Sequence, residues 1–146
     1  MSEPREQPKG RVAGIDFGTK RIGVAISDAE RRLASPLDNY QRRSLELDAA
    51  YFRDLARDEE VSLFVVGLPL HMSGDESQKS REARDFGQWL TEITQVPVEF
   101  FDERFSSKEA EEWLQMAGAT SKKRKARRDM LAAQIILSGY LEQHAG

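Results

Sequence analysis

The sequence predicts one α/β domain with a mixed sheet of about five strands flanked by helices. Three observations predict it. Two short apolar segments near the start are joined by Gly18-Thr19-Lys20-Arg21, the pattern of an antiparallel hairpin. After Ser44, stretches with helical spacing alternate with strand-like runs. The run Leu63-Phe64-Val65-Val66-Gly67-Leu68 is apolar on both faces, as in the middle of a parallel sheet.

The elements follow in order. Residues 1–10 are polar and proline-bearing and are expected to be a disordered tail ahead of a domain over 11–146. Strands are expected over 11–17 and 22–27. In the second, Ile22, Val24 and Ile26 share one face, and Gly23, Ala25 and Ser27 give a face of small residues. A third strand over 34–40 carries Pro36, which suggests an edge. Ser44 caps a helix whose stripe is Leu45, Ala49, Phe52, Leu55 and Ala56. Residues 69–80 are a loop. A second helix over 81–94 turns Ala83, Phe86, Gly87, Leu90 and Ile93 inward, and a fifth strand covers 98–102. Ser106 and Glu109 fit a capping box for a further helix with Trp113 on its stripe, stopped at Gly118. The last helix runs from the basic stretch to about Gln143.

The bulk numbers narrow the function. At 146 residues, one domain can bury roughly two-thirds of its unfolded surface without staples. There is no cysteine, which excludes disulfides, thiolate zinc sites and a cysteine nucleophile. The first residues have no apolar core of a secretory signal, and no apolar run approaches the ~20 residues of a membrane span. A soluble cytoplasmic protein is expected. The formal net charge of -3 argues against nucleic-acid binding, but its distribution argues for it. Six of the eight residues from Ser121 to Arg128 are Lys or Arg and none is acidic. A local patch matters more than net charge for phosphate contact.

Three positions carry acids at element ends. Asp16 ends the first strand, Asp102-Glu103 follow the fifth, and Asp129 follows the basic run. Magnesium and manganese prefer carboxylate oxygens, and two such ions roughly 4 Å apart can promote phosphodiester cleavage. Each acid also has a plainer reading. Asp16 could hydrogen-bond the Gly18-Thr19 turn. Arg104 could pair with Asp102 or Glu103 as a surface salt bridge, and alternation lets only one of the two face a given side. Asp129 sits on the buried stripe of Ala132, Ala133, Ile136 and Tyr140, where the helix dipole would also favour it. The basic run is either a phosphate grip or a solvated helical face, and Thr19, Lys20 and Arg21 are either backbone contacts or a hairpin tip. His71 is a candidate substrate contact or general acid, or an inert loop residue; Trp113 is read as packing, and Trp89 carries no functional signal.

The motifs resemble one family. Asp16-Phe17-Gly18-Thr19-Lys20-Arg21-Ile22-Gly23-Val24-Ala25 is similar to the first motif of the YqgF family, also called RuvX. Val65-Val66-Gly67-Leu68-Pro69-Leu70 resembles its second, Asp102-Glu103-Arg104-Phe105-Ser106-Ser107 its third, and Lys122-Lys123-Arg124-Lys125 with Asp129 and Ala132-Ala133 its fourth. They occur in the family's order across nearly the whole chain. The resemblance implies an RNase H-like fold, related to the Holliday-junction resolvase RuvC. It implies a divalent-metal nuclease, with Mg2+ or Mn2+ in a two-metal site, acting in 5′-end processing of pre-16S ribosomal RNA or on branched DNA. Carried over by position, the catalytic and metal-binding acids are Asp16, Glu103 and Asp129, which selects Glu103 over Asp102. The expected phosphate contacts are Thr19, Lys20, Arg21, Lys122, Lys123, Arg124, Lys125, Arg127 and Arg128. Nucleic acid is the expected partner, no membrane is, and a homodimer is one admissible assembly. His71 stands where asparagine is common in the family, and the loop Ser73-Gly74-Asp75-Glu76 differs in detail. Two rival readings are an actin-like ATPase or sugar kinase, which Asp16-Phe17-Gly18-Thr19 also resembles, and a non-catalytic nucleic-acid-binding module. The first needs two such domains around a nucleotide; the second needs no acidic cluster.

Overall fold

A computed structural model describes residues 10–106 and 121–145, and for 121–129 the backbone alone. The elements are β1 (Arg11–Asp16), β2 (Arg21–Ser27), β3 (Ala34–Gln41), α1 (Leu45–Asp58), β4 (Val61–Leu68), α2 (Gln78–Thr94), β5 (Val98–Asp102), a 3-10 turn (Glu103–Phe105) and α3 (Ser121–Gln143). The strands form one sheet in the order β3-β2-β1-β4-β5. β2 runs antiparallel to both of its neighbours, while β1, β4 and β5 are parallel. The predicted mixed five-stranded sheet is therefore observed. The tail expected over 1–10, Gly10 apart, and the helix expected after Ser106, with Trp113, lie outside the described residues.

Local chemistry accounts for the boundaries. β3 is an edge strand, and Pro36 sits beside a register shift opposite Ala25, where a missing N–H is tolerated. Ser44 caps α1 by accepting a hydrogen bond from the Leu47 N–H. α2 begins at Gln78, three residues before the expected start. Ser77 and Ser80 form a reciprocal capping box there, with bonds of 2.9 and 2.7 Å, so a serine performs the role usually read from Glu or Gln. The α1 stripe also shifts. Leu45, the first residue of α1, is 63% exposed, while Asp48 is buried.

Asp48 ties the end of β3 to α1. It accepts bonds from the Tyr40 hydroxyl (2.6 Å), the Arg43 N–H (3.0 Å) and Arg42 Nε (3.2 Å). Burial alone would raise its pKa; these three donors outweigh it and hold the carboxyl below its ordinary value of 3.8.

Alternation divides the sheet into two faces. Ala13, Ile15, Ile22, Val24, Phe64 and Val66 pack against α1 and α2 around Phe52 and Phe86. Val12, Ala25, Leu63, Val65 and Phe101 pack against α3 through Ala133, Ile136, Leu137 and Tyr140. The second face carries glycines where α3 comes closest. A Cβ on Gly14 would lie 2.7 Å from Leu137 Cβ and 3.0 Å from the Ala133 carbonyl oxygen. Among the described residues, no helix is long and apolar enough to cross a membrane.

Two predictions test this packing. Gly14→Ala should destabilise the fold by about 1–3 kcal/mol through overpacking, read as a lower urea midpoint at unchanged slope. The folded pKa of Asp48 is depressed, so its contribution is present above 3.8 and lost as pH falls through the folded value. Asp48→Asn should therefore lower stability at neutral pH, and its deficit against the parent should shrink in acid.

Candidate active site

The candidate acids come together through strand geometry. β1, β4 and β5 end at one edge of the sheet because they are parallel and in register: Ile15 lies beside Val66, and Gly67 beside Phe101. Alternation then decides the face. Gly14 contacts α3, so Asp16, two residues on, lies on the same side. Gly67 also faces α3: a Cβ there would lie 2.5 Å from Ile136 Cδ1 and 2.6 Å from Glu103 Oε2. The Glu103 carboxylate thus occupies the space above Gly67, one strand spacing of about 4.8 Å from the line of β1. Asp16 and Glu103 share one face and one edge.

The course of α3 brings in the third position. Tyr140 donates to Glu99 Oε1 (3.0 Å) near the start of β5, Gly139 packs on Phe101, and Ile136 packs on Gly67 near the end of β4. The helix therefore runs against the direction of the parallel strands, with its N-terminal half toward their carboxyl edge. Ala133 lies over Gly14. Asp16 is two residues farther along β1, about 6.6 Å, and Asp129 is four residues back along α3, about 6 Å. The two displacements match in size and direction. The basic residues Lys122, Lys123, Arg124, Lys125, Arg127 and Arg128 occupy the first turns of the same helix. The side chains of these residues and of Asp129 lie outside the described ones.

Asp102 and Glu103 have different environments. Asp102 is held by Arg104, whose Nη2 and Nε donate to its oxygens at 2.6–3.1 Å, and it also accepts the Arg104 N–H. The guanidinium keeps the Asp102 carboxyl below its usual range despite partial burial. Arg104 also donates to the Met72 carbonyl (3.2 Å), tying the β4–α2 loop to the end of β5. The salt bridge left open by the sequence is therefore made with Asp102. Glu103 turns the other way. Burial, then the Asp102 charge, raise its pKa, with Lys79 of α2 pulling it down.

That environment suits a cation. A half-buried carboxylate with a raised pKa, beside a second acid on the same face, gains from a bound positive charge. Hard oxygen donors are the set that magnesium or manganese prefers. Among the described residues, no group of three His, Asp or Glu could hold a metal ion by itself.

The remaining predicted contacts are placed as follows. Thr19 and Lys20 are exposed on the β1–β2 turn, and Arg21 is half-buried at the start of β2. His71 is exposed; its N–H donates to the Asp75 carbonyl and its carbonyl accepts from Gly74, which closes the loop tip. Trp89 packs edge-on to Phe52 and tilted against Phe86. Three participants were not read from sequence: Gly67 as the floor beneath Glu103, Lys79 as its nearby cation, and the Arg104 tie to the loop. A glycine within an otherwise apolar strand was the one available signal for the first.

The raised pKa of Glu103 has a consequence for stability. Its folded value lies above the ordinary 4.5, so the folded state holds the proton more tightly. Stability contributed by protonated Glu103 is present below 4.5 and lost as pH rises through the folded value. Glu103→Gln should therefore be more stable than the parent at neutral pH without added metal, with the gap closing in acid, as measured by urea unfolding across pH.

Comparison with known proteins identifies the family and the fold. A family model described as RuvX, Holliday junction resolvase, matches residues 10–143. A Rhodopirellula baltica protein is 48% identical over 133 residues, covering 91% of this chain and 77% of its own. A protein of Anaeromyxobacter sp. strain Fw109-5 is 43% identical, covering 92% of this chain and 99% of its own. Both are provisionally named as pre-16S rRNA nucleases. Among solved structures, Thermus thermophilus RuvC with a Holliday junction substrate aligns at a TM-score of 0.57 and 16% identity, over 94% of this chain and 98% of that one. The fowlpox virus resolvase with Holliday junction DNA aligns at 0.58 and 10% identity, over 93% and 99%. These two show the fold, which is RNase H-like. With an RNase H-like fold, a family model matching residues 10–143 and relatives 48% and 43% identical over 91% and 92% of its length, the chain belongs to the RuvX family.

Proposed function

We propose that this protein is a divalent-metal-dependent endonuclease that hydrolyses phosphodiester bonds in 5′-end processing of pre-16S ribosomal RNA. Family membership and the relatives' names support the reaction and substrate class. The observation that carries the reading is the shared face and edge of Asp16 and Glu103, with the N-terminal half of α3 directed to the same edge.

In this reading Asp16, Glu103 and Asp129 hold Mg2+ or Mn2+. The bound cations would supply activation of water and neutralisation of charge at the scissile phosphate. A bound cation would offset the burial and the Asp102 charge that disfavour an ionised Glu103. Arg104 keeps Asp102 paired and so leaves Glu103 as the acid turned toward the site. The basic run grips the phosphate backbone. Six cations on the first turns of a helix add to the positive end of its dipole instead of opposing it. That arrangement costs helix stability and favours an anion at the same place. Thr19, Lys20 and Arg21 extend the contact along the β1–β2 turn.

The family description favours a second reading, resolution of branched DNA by the same chemistry. One assay separates them. Purified protein is given a precursor 16S rRNA fragment, a four-way DNA junction and plain single strands, with Mg2+ or Mn2+. Cleavage of the precursor is expected, with loss on chelation and recovery on adding metal. Asp16→Asn, Glu103→Gln and Asp129→Asn should each lower the rate by at least about a hundredfold while leaving the far-ultraviolet spectrum unchanged. Full activity of Asp16→Asn would reject the site. Preference for the junction would select the second reading.

A further inference from the structure

A groove lies on the side of the sheet opposite the acids, where α1 and α2 approach the β1–β2 turn. Two adjoining cavities, of about 450 and 330 Å³, share Thr19, Arg42 and Leu45 as a common wall. Each falls in or near the usual range of small-ligand sites, about 300–1,000 Å³. The two ends differ in chemistry.

One end is basic. Lys20, Arg42 and Arg43 line it together with the Thr19 hydroxyl. The acid in this wall, Asp48, is buried and already engaged by Tyr40, Arg42 Nε and the Arg43 N–H. Among the described residues, Asp48 takes only Nε of Arg42, so the terminal guanidinium nitrogens can donate elsewhere. The Arg43 side chain is exposed. This end therefore carries net positive charge and several donors, which is what a phosphate needs.

The other end is apolar and aromatic. Leu45, 63% exposed, and half-buried Trp89 both line it. An exposed leucine beside an indole is a ready surface for a flat ring. Glu82 and Asp85 stand at this end. They repel phosphate and can accept hydrogen bonds from amino groups, so a ligand carrying both a phosphate and a base is oriented one way.

From this polarity we infer that the groove holds an unpaired nucleotide of the bound strand, its phosphate at Lys20–Arg43 and its base against Leu45 and Trp89. The inference rests on the proposed nucleic-acid reading. A strand is favoured over a free nucleotide because the β1–β2 turn, which follows Asp16, forms part of the groove: Thr19 lines both cavities. Lys20 of that turn lines the basic cavity, while Phe17, directly after Asp16, lines the aromatic one with the Arg42 guanidinium 5.3 Å from its ring centre. A strand that crosses the β1–β2 turn from the acids enters the groove at its basic end. A base inside a duplex cannot reach the apolar end, so the groove selects substrates that are single-stranded beside the cut.

The test uses the full chain with chelator present, so that nothing is cleaved. The chain has two tryptophans, so Trp113→Phe leaves Trp89 as the sole indole reporter. A fluorescein-labelled single-stranded 12-mer should quench Trp89 in step with the rise in its anisotropy. A blunt duplex of the same sequence should quench little, and thymidine monophosphate alone should need far higher concentrations. In the native chain, Arg43→Gln should weaken single-strand binding several-fold and reduce the slope of log affinity against log salt by about 0.7. This second measurement decides the matter if Trp113→Phe does not fold. Strand binding that leaves Trp89 unchanged, equal quenching by the duplex, quenching by the free nucleotide at the strand's own concentrations, or an unaltered salt slope in Arg43→Gln would each overturn the inference. Because cleavage plays no part, an inactive protein whose Trp89 still responds would reject the nuclease reading and leave the groove standing.

Discussion

Everything at the candidate site depends on how closely α3 seats on the sheet. Gly14 and Gly67 leave no room for a Cβ beneath it, and Ala25 adds a third small contact. With larger residues there, the helix would ride higher and the space above Gly67 would fill. That space is occupied by the Glu103 carboxylate. The same contact that packs the second core therefore positions one of the acids. Packing and chemistry share a constraint because dense interiors transmit displacements of even one methylene.

Parallel strands supply the other half of the arrangement. Three strands ending at one edge set Ile15 beside Val66 and Gly67 beside Phe101, and the Glu103 carboxylate reaches back over Gly67. Open α/β sheets place ligands outside the carboxyl ends of their strands for this reason. Here the edge is also charged asymmetrically. Asp102 is neutralised by Arg104, which in turn ties the β4–α2 loop down, while Glu103 stays partly buried and short of counter-charge. Two adjacent acids thus take separate roles, one structural and one available to a cation. The basic turns of α3 and the Lys20–Arg43 end of the opposite groove then flank the acids on two faces, a layout suited to a strand that wraps the edge.

Much of this was legible in the residues. The hairpin, the edge strand with Pro36, the buried β4 run and the last helix all follow from periodicity and turn chemistry that act over a few residues. The errors were also local. The start of α2 was placed late because a serine stood where Glu or Gln usually closes the capping box, and Leu45 was assigned inward because its spacing fits the stripe although it opens α1 and is 63% exposed.

By itself the sequence determined the class of fold, the order of its elements, the family motifs and the short set of acids worth considering. These are encoded by side-chain period, by propensity and by residue identity at fixed spacing. It left Asp102 and Glu103 unresolved on pattern alone, and it gave no sign of the groove between α1 and α2. Only the tertiary structure decided which acid Arg104 neutralises, which one lies over Gly67, and that Arg42, Leu45 and Trp89 line one cavity. Those outcomes depend on strand register and on helices packing across the sheet, contacts between residues far apart in the chain that no local pattern records.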